Sequence, residues 1–296
     1  MAGHFATEIE KGIISRITEG ALAVLNNHPE IECNESLSPA LYKFVEGALE
    51  GREINLITDF DSTITDVPSR LNCYTCIDNL IPETPMRKAF IQHCAYQAPK
   101  ETVEQSLVLS GLSNASYFLK NNEDGSNRID PEKLDKAIEE LTPRDGISDL
   151  LQLFTQDNSR VVVVSAGIME VIQAFFQTHF PKGFSPIIIA NSISSPVDIN
   201  NVITKFNKPG RFNDAPSIRQ LEALEGSPQE LNLPTCIQIG DKPEDLKIVQ
   251  EGIRIGIGVS LEDCDILLPA NCSMEAITEM FRHIFEQINI KQEPQQ

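Results

Sequence analysis

Asn55-Leu56-Ile57-Thr58-Asp59-Phe60-Asp61-Ser62-Thr63 carries an apolar strand straight into two carboxylates and a hydroxyl, spaced D-x-D-x-T. In an open α/β sheet, ligands bind at the carboxyl ends of the strands, so this placement puts the acidic pair at a crevice. Hard oxygen ligands of this kind suit Mg²⁺, and one aspartate can attack phosphorus while its neighbour handles protons. The same letters also fit a plain acidic turn between strand and loop, because short motifs recur by chance. The rest of the chain decides between the two.

Outward from this stretch, Arg160 to Val164, Pro186 to Ala190, Thr235 to Ile239 and Ile253 to Val259 are short β-rich runs bounded by turn residues. Runs that are apolar almost throughout suit strands of a parallel sheet covered on both faces. Helical patterns lie between them, at Gly146 to Phe154 and Ile168 to Phe180, so the alternation is βαβ and the fold class is α/β with a Rossmann-like parallel core. Two amphipathic helices precede the first strand. One, over residues 6–26, carries Ile9, Ile13, Ile14, Ile17, Ala21, Leu22 and Leu25; the other runs from Ser38 to Ala48, started by Ser36 or Ser38. A last helix with Met274, Ile277, Met280, Phe281, Ile284, Phe285 and Ile288 on one stripe closes the domain.

The interval from Asp66 to Val161 does not fit a simple crossover, which needs only about a dozen residues. Helical patterns in Met86 to Tyr96, Thr102 to Leu109 and Pro131 to Leu141 predict an inserted helical cap there. The expected division is a core of residues 1–66 and 142–296 with a cap of residues 67–141.

Composition narrows the class of function. The 296 residues hold 24 Lys and Arg against 43 Asp and Glu, a formal net charge of −19. Such a charge repels phosphate polymers and anionic membrane surfaces, which argues against a partner that is polymeric nucleic acid or a membrane. An acidic enzyme for small phosphoesters must find its positive charge locally, in a metal ion, a lysine and backbone amides. The seven cysteines are odd in number and dispersed, the first residues show no apolar signal region, and no apolar run approaches a membrane span. A cytoplasmic protein with reduced thiols is expected. The pattern does not fix an oligomeric state.

Three further elements follow later strands. Ser165-Ala166-Gly167 comes after Val161 to Val164 and is read as opening a helix whose free amides make an anion site. Lys205-Phe206-Asn207-Lys208-Pro209-Gly210 offers a cation on a loop, and Gly240-Asp241-Lys242-Pro243-Glu244-Asp245 places two more carboxylates at a strand end. Taken singly, these fit a turn, a solvated lysine and a helix cap. Their order after apolar strands is what gives them weight.

The order D-x-D-x-T, Ser, Lys, G-D-x-x-x-D, with an insert directly after the first motif, resembles the haloacid dehalogenase superfamily of phosphotransferases. Within it the chain is similar to the type III cytosolic, or pyrimidine, 5′-nucleotidases. That likeness is carried by Gly47 to Thr65, Cys73-Tyr74-Thr75-Cys76 with Asp78-Asn79, Thr102-Val103-Glu104, Val164 to Ile168, Phe206-Asn207-Lys208 and Ile239-Gly240-Asp241 through Asp245-Leu246. The resemblance implies a haloacid dehalogenase fold with a helical cap and a Mg²⁺-dependent phosphomonoesterase acting on nucleoside 5′-monophosphates, pyrimidines preferred. It implies Asp59 as the nucleophile that becomes an aspartyl-phosphate, and Asp61 as the acid and then the base. By the same likeness, Asp59, the main-chain oxygen of Asp61, and Asp241 hold Mg²⁺. Ser165, Ala166, Gly167 and Lys208 hold the phosphoryl group, Asp245 orients Lys208 or a metal-bound water, Thr63 ties down the loop, and Glu104 reaches the substrate from the cap.

The chain departs from that family in the cap, where Ser106 to Leu112 follows Glu104 without the aromatic residues used for base stacking; Tyr117 and Phe118 come only later. Lys242, Pro243 and Glu244 also replace the small polar residues usual inside G-D-x-x-x-D. Two other readings follow: a phosphatase for another small metabolite, of the phosphoserine or sugar phosphate class, or a partner-binding member of the fold without activity. Cys73-x-x-Cys76 with His93 and Cys94 fits no common zinc spacing. A thioredoxin-like role is disfavoured, since the pair is read as following a phosphatase loop rather than opening a helix after a strand. A receiver-type signalling domain would be shorter and would lack the D-x-D pair.

Overall fold

The computed structural model describes residues 8–66, 72–80, 100–155, 158–194, 203, 235–248 and 251–292. Seven strands form one sheet: β1 (Glu32–Cys33), β2 (Ile54–Thr58), β3 (Ser159–Ile168), β4 (Ile187–Asn191), β5 (Cys236–Gly240), β6 (Ile253–Ile257) and β7 (Ile266–Leu268). Their order is β1-β7-β6-β5-β2-β3-β4. The pairs β3–β4, β5–β6 and β6–β7 are parallel, and β1 lies antiparallel on β7. The fold is therefore α/β with a mostly parallel sheet. β1 and β7 were not foreseen, because runs of two and three residues are too short to show an alternating pattern.

Eight α-helices are described: α1 (Glu8–Asn26), α2 (Leu37–Leu49), α3 (Cys73–Leu80), α4 (Lys100–Lys120), α5 (Pro131–Ile138), α6 (Ile147–Leu153), α7 (Met169–His179) and α8 (Glu275–Gln292). The pattern of Met86 to Tyr96 lies outside the described residues. The helix expected over Thr102 to Leu109 is part of the longer α4. Among the described residues no helix is long and apolar enough to cross a membrane.

By packing, the chain divides into two units. The first holds Met1–Ile57, Arg144–Val161 and Leu231–Gln296, and the second holds Thr58–Pro143 and Val162–Glu230. In the first unit, α1 buries Ile14, Ile17, Thr18, Ala21 and Leu25, a single stripe at helical spacing. It packs against α8 and α2, while α8 also packs on α6. Aromatic edges join these helices: Phe44 meets Phe281 with ring centroids 5.7 Å apart, and Phe154 meets Phe281 at 5.3 Å and Phe285 at 5.4 Å. Such edge-to-face pairs add to the area that they bury. Ser36 precedes α2, yet its hydroxyl donates to Asp265 rather than capping the helix. Asp265 in turn pairs with Arg254 on β6 at 3.1 Å.

In the second unit, β3 and β4 pair in parallel and α7 packs on β4 and α5. Phe60 is fully buried against this helix, its ring 5.0 Å from Phe175 in a T-shaped contact and 6.2 Å from Phe176. The chain that leaves this region at Asp66 returns beside it: the Asp66 N–H donates to the Thr142 carbonyl at 2.8 Å, and Thr65 bridges Pro143 antiparallel. Helices α3, α4 and α5 lie within this excursion, and α3 packs on the other two. Asp130 caps α5 by accepting from the Glu132 N–H at 3.0 Å, with Pro131 as the first helical residue.

The buried aromatic junction of the first unit gives a stability prediction. Phe281→Ala removes a ring that meets Phe44, Phe154 and Phe285, and the cavity it leaves costs about 3–5 kcal/mol. The urea midpoint should fall accordingly; an unchanged midpoint would show that this cluster does not hold the helices together.

Candidate active site

The loop after β2 is built around one carbonyl. The Phe60 oxygen accepts from the N–H groups of Thr63 at 3.3 Å, Ile64 at 2.9 Å and Thr65 at 3.2 Å, a tight turn that brings Asp59 and Asp61 to its two sides. Ser62 takes a left-handed conformation (φ 64°) within it. The Thr65 hydroxyl accepts from the Ser62 N–H at 3.0 Å and reaches the Phe60 carbonyl at 3.4 Å, a tie that sequence reading did not find. Thr63, to which that reading gave the tie, is fully buried in the same turn. With the Phe60 ring anchored among aromatics, the flanking carboxylates have a fixed base. Asp59 is 3% exposed and Asp61 is partly exposed.

Asp61 faces the first turn of α3. Asn72 caps that helix, accepting from the N–H groups of Tyr74 at 3.0 Å and Thr75 at 2.9 Å, while the Thr75 hydroxyl accepts from the Asn72 N–H at 2.7 Å. This reciprocal box satisfies the next amides and leaves the Cys73 N–H, a donor without a partner inside the helix. It donates to Asp61 Oδ1 at 3.0 Å. Asn72 followed by Thr75 was a readable helix start, although the chemistry at its first amide was not.

Ser165-Ala166-Gly167 does not open a helix. It belongs to β3, which continues through Ile168, and α7 starts at Met169. The reason is pairing: Val164 pairs with Ile189 and Ile168 with Asn191, so β3 spends more residues than β4 over this stretch and bulges. The amides of residues 165–167 are thus strand amides and not helix-terminal ones. Within the bulge the Gly167 N–H donates to Ser165 Oγ at 3.0 Å, and the Ala166 carbonyl accepts from the Tyr74 hydroxyl at 2.9 Å and from Asn191 Nδ2 at 2.7 Å. Asn191 also pairs with Ile203, donating to its oxygen at 2.9 Å and accepting from its N–H at 2.8 Å. Lys208, five residues further along the sequence, lies outside the described residues.

The close approach of these segments centres on Gly167. A β-carbon there would stand 2.8 Å from Cys73 Sγ, 3.1 Å from Ser165 Oγ and 3.3 Å from Asp61 Oδ2. The second unit therefore brings together Asp61, Ser165, Gly167 and the first turn of α3. Below the strand ends, Glu170 on α7 fastens the chain that follows β4. Its carboxylate accepts from the hydroxyls of Ser192 at 2.7 Å and Ser194 at 2.6 Å and from the N–H groups of Ile193 and Ser194. Burial works against its charge, but these donors outweigh burial and hold its carboxyl below the usual range.

In the first unit, the turn after β5 carries Asp241 and Asp245. Asp245, 1% exposed, starts a short 3₁₀ turn and accepts from the Lys242 N–H at 3.1 Å. Gly240 allows this fold-back, because a β-carbon there would lie 2.2 Å from Asp245 Cβ. Lys242 Nζ stands 3.6 Å from Asp241 Oδ1, and a carboxylate oxygen of Asp241 lies within 4.8 Å of one of Asp245. In the sheet β5 is the neighbour of β2, the strand that leads to Asp59.

The cap candidates are more dispersed. Residue 104 is helical, on α4. On the same helix Tyr117 is 72% exposed, and the Phe118 ring has Lys133 Nζ 5.6 Å from its centroid.

Cys73 and Cys76 do open a helix, but they are poor nucleophiles. Burial first, and then the negative charge of Asp61, push the Cys73 thiol well up; burial, Asp61 and Glu140 push Cys76 up to about 12. A reactive thiol needs the opposite environment. In folded protein at mildly alkaline pH, iodoacetamide should modify the exposed Cys33 and spare Cys73 and Cys76, while all three react in urea. Equal rates at the three sites in the folded state would contradict this reading.

No family model and no curated protein matches the chain. Solved structures do. Cytosolic 5′-nucleotidase IIIB bound to cytidine superposes with a TM-score of 0.59, covering 92% of this chain and 99% of its own, at 14% identity. A phosphoserine phosphatase in its apo form superposes with a TM-score of 0.49, covering 77% of this chain and 98% of its own, at 18% identity. At such identities the nucleotidase comparison establishes the architecture, and with it the chain has the haloacid dehalogenase fold that the order of its motifs implied.

Proposed function

We propose that this chain is a phosphoric monoester hydrolase that works through an aspartyl-phosphate on Asp59 and acts on nucleoside 5′-monophosphates, pyrimidines preferred. The observation that carries the reading is the meeting of the D-x-D loop with the S-A-G bulge at Gly167, which sets Asp61 beside Ser165. The nucleotidase with this fold holds cytidine, which supports the choice of substrate. Its cytosolic setting supports the same location here.

In the first step an oxygen of Asp59 attacks phosphorus, and the bond between phosphorus and the leaving oxygen breaks. Asp61, protonated, gives its proton to that oxygen. In the second step Asp61, now a carboxylate, takes a proton from water as the water oxygen attacks phosphorus, and the bond to Asp59 breaks to release phosphate. The Cys73 N–H fixes the orientation of Asp61 for both transfers. The Ser165 hydroxyl, the backbone near Ala166 and Gly167, and Lys208 hold the phosphoryl oxygens, Asp245 orients Lys208 or a metal-bound water, and Thr63 ties down the loop.

Asp59, the Asp61 carbonyl and Asp241 would offer hard oxygens, which suit Mg²⁺ rather than a soft metal. Bound there, the ion would neutralise charge between a carboxylate nucleophile and a phosphate dianion. Residues 67–141, which lie in sequence between the hydrogen-bonded Asp66 and Thr142, are assigned to the cap, and residues 1–66 and 142–296 to the core. Glu104 on α4 then contacts the part of the substrate beyond the phosphate.

A hydrolysis screen of purified protein tests this. Phosphate release from pyrimidine nucleoside 5′-monophosphates should exceed that from phosphoserine and sugar phosphates, stop with EDTA and return with Mg²⁺. Glu104→Ala should reduce nucleotide turnover more than that of a simple aryl phosphate, which makes no base contact. Best turnover of phosphoserine or a sugar phosphate would overturn the nucleotidase assignment, and no turnover of any phosphomonoester would overturn the enzyme assignment.

A further inference from the structure

The carbonyl of Ala166 is held from two directions, by the Tyr74 hydroxyl at 2.9 Å and by Asn191 Nδ2 at 2.7 Å. In a trans peptide the N–H points opposite the C=O. Fixing the Ala166 oxygen therefore fixes the Gly167 N–H, which donates to Ser165 Oγ at 3.0 Å. A serine hydroxyl has one hydrogen and two acceptor sites. With the Gly167 N–H occupying an acceptor site, the Ser165 hydrogen is turned to donate, and phosphoryl oxygens are acceptors.

We propose that Tyr74 and Asn191 are positioning residues for phosphoryl recognition: together they hold the Ala166–Gly167 peptide so that the Ser165 hydroxyl donates to the substrate. Tyr74 ties this setting to the inserted helices. It stands on the first turn of α3, beside the Cys73 N–H that meets Asp61, and its ring lies against α4, where a β-carbon on Gly111 would be 2.6 Å from Tyr74 Cδ1. The seating of α3 thus sets both the acid and the phosphoryl donor. Asn191, by pairing with Ile203, ties the same peptide to that residue. This proposal rests on the phosphatase reading.

The test is a double-mutant cycle on the full chain, read by KM and kcat for an aryl phosphate and by competitive inhibition with inorganic phosphate. Tyr74→Phe keeps the ring and removes only the hydroxyl. It should weaken inhibition by phosphate about three- to tenfold, the scale of one neutral hydrogen bond, and raise KM with a smaller change in kcat. Asn191→Asp, which turns a donor into an acceptor, should act in the same direction. In a Ser165→Ala background Tyr74→Phe should have no further effect, because the donor it positions is gone. Wild-type inhibition by phosphate in Tyr74→Phe, or effects of Tyr74→Phe and Ser165→Ala that multiply, would overturn the proposal while leaving the phosphatase reading intact. A wild-type chain that neither hydrolyses phosphomonoesters nor binds phosphate would overturn both.

Discussion

The absence of a side chain at position 167 is the constraint on which the site rests. Only a hydrogen fits where the end of β3, the D-x-D loop and the first turn of α3 converge, with Cys73 Sγ, Ser165 Oγ and Asp61 Oδ2 all within 3.3 Å of the space a β-carbon would fill. Each segment is brought there by a different force. Parallel pairing with β4 carries β3 to this point, the buried Phe60 ring anchors the acidic loop, and the Asn72 capping box sets the direction of α3. A methyl group at residue 167 would have to displace the Cys73 thiol and would crowd the Ser165 hydroxyl and the Asp61 carboxylate, so the packing of the core and the geometry of the chemistry are one problem.

Electrostatics follows from the same convergence. On the proposed function, a chain with a net charge of −19 would bind a phosphate dianion beside carboxylates, and bare Coulomb repulsion would oppose that. Backbone amides and hydroxyls answer part of this locally: the Cys73 N–H meets Asp61, and the Gly167 N–H meets Ser165. The neighbouring thiols show the sign of the field. Burial and the charge of Asp61 keep Cys73 and Cys76 protonated, so the cysteines at the mouth of α3 are packing groups in a negative environment. Glu170 illustrates the converse, a buried carboxylate kept ionised by the hydroxyls and amides of Ser192, Ile193 and Ser194.

Much of the fold was legible because its strands are long apolar runs and its helices carry stripes. Val161 to Val164, Ile187 to Ile189 and the stripe of α8 announce themselves by composition and period. The order of motifs after those strands pointed to the fold that the superposed nucleotidase shares. What could not be read was contact across long sequence separations. The Tyr74–Ala166 hydrogen bond joins residues far apart in the chain, and a tyrosine on a short helix gives no sign of its partner. Ser165 to Gly167 was misread as a helix start because small residues after a strand suit a turn, whereas Asn191 holds them in the sheet. Thr65 was not singled out because the motif names the earlier threonine, and the Ser62 N–H to Thr65 hydroxyl contact shows only in the folded loop.

In the proposed mechanism the first carboxylate of the D-x-D loop, Asp59, carries the phosphoryl group during turnover. Acid quenching of the protein during steady turnover of a good phosphomonoester substrate, followed by peptide mass spectrometry, tests it directly. One added phosphoryl group is expected on the peptide containing Asp59, located to Asp59 by fragmentation, removed by hydroxylamine, and missing in Asp59→Asn. Sustained turnover with no phosphorylated form of that peptide, or a phosphoryl group on another residue, would contradict it.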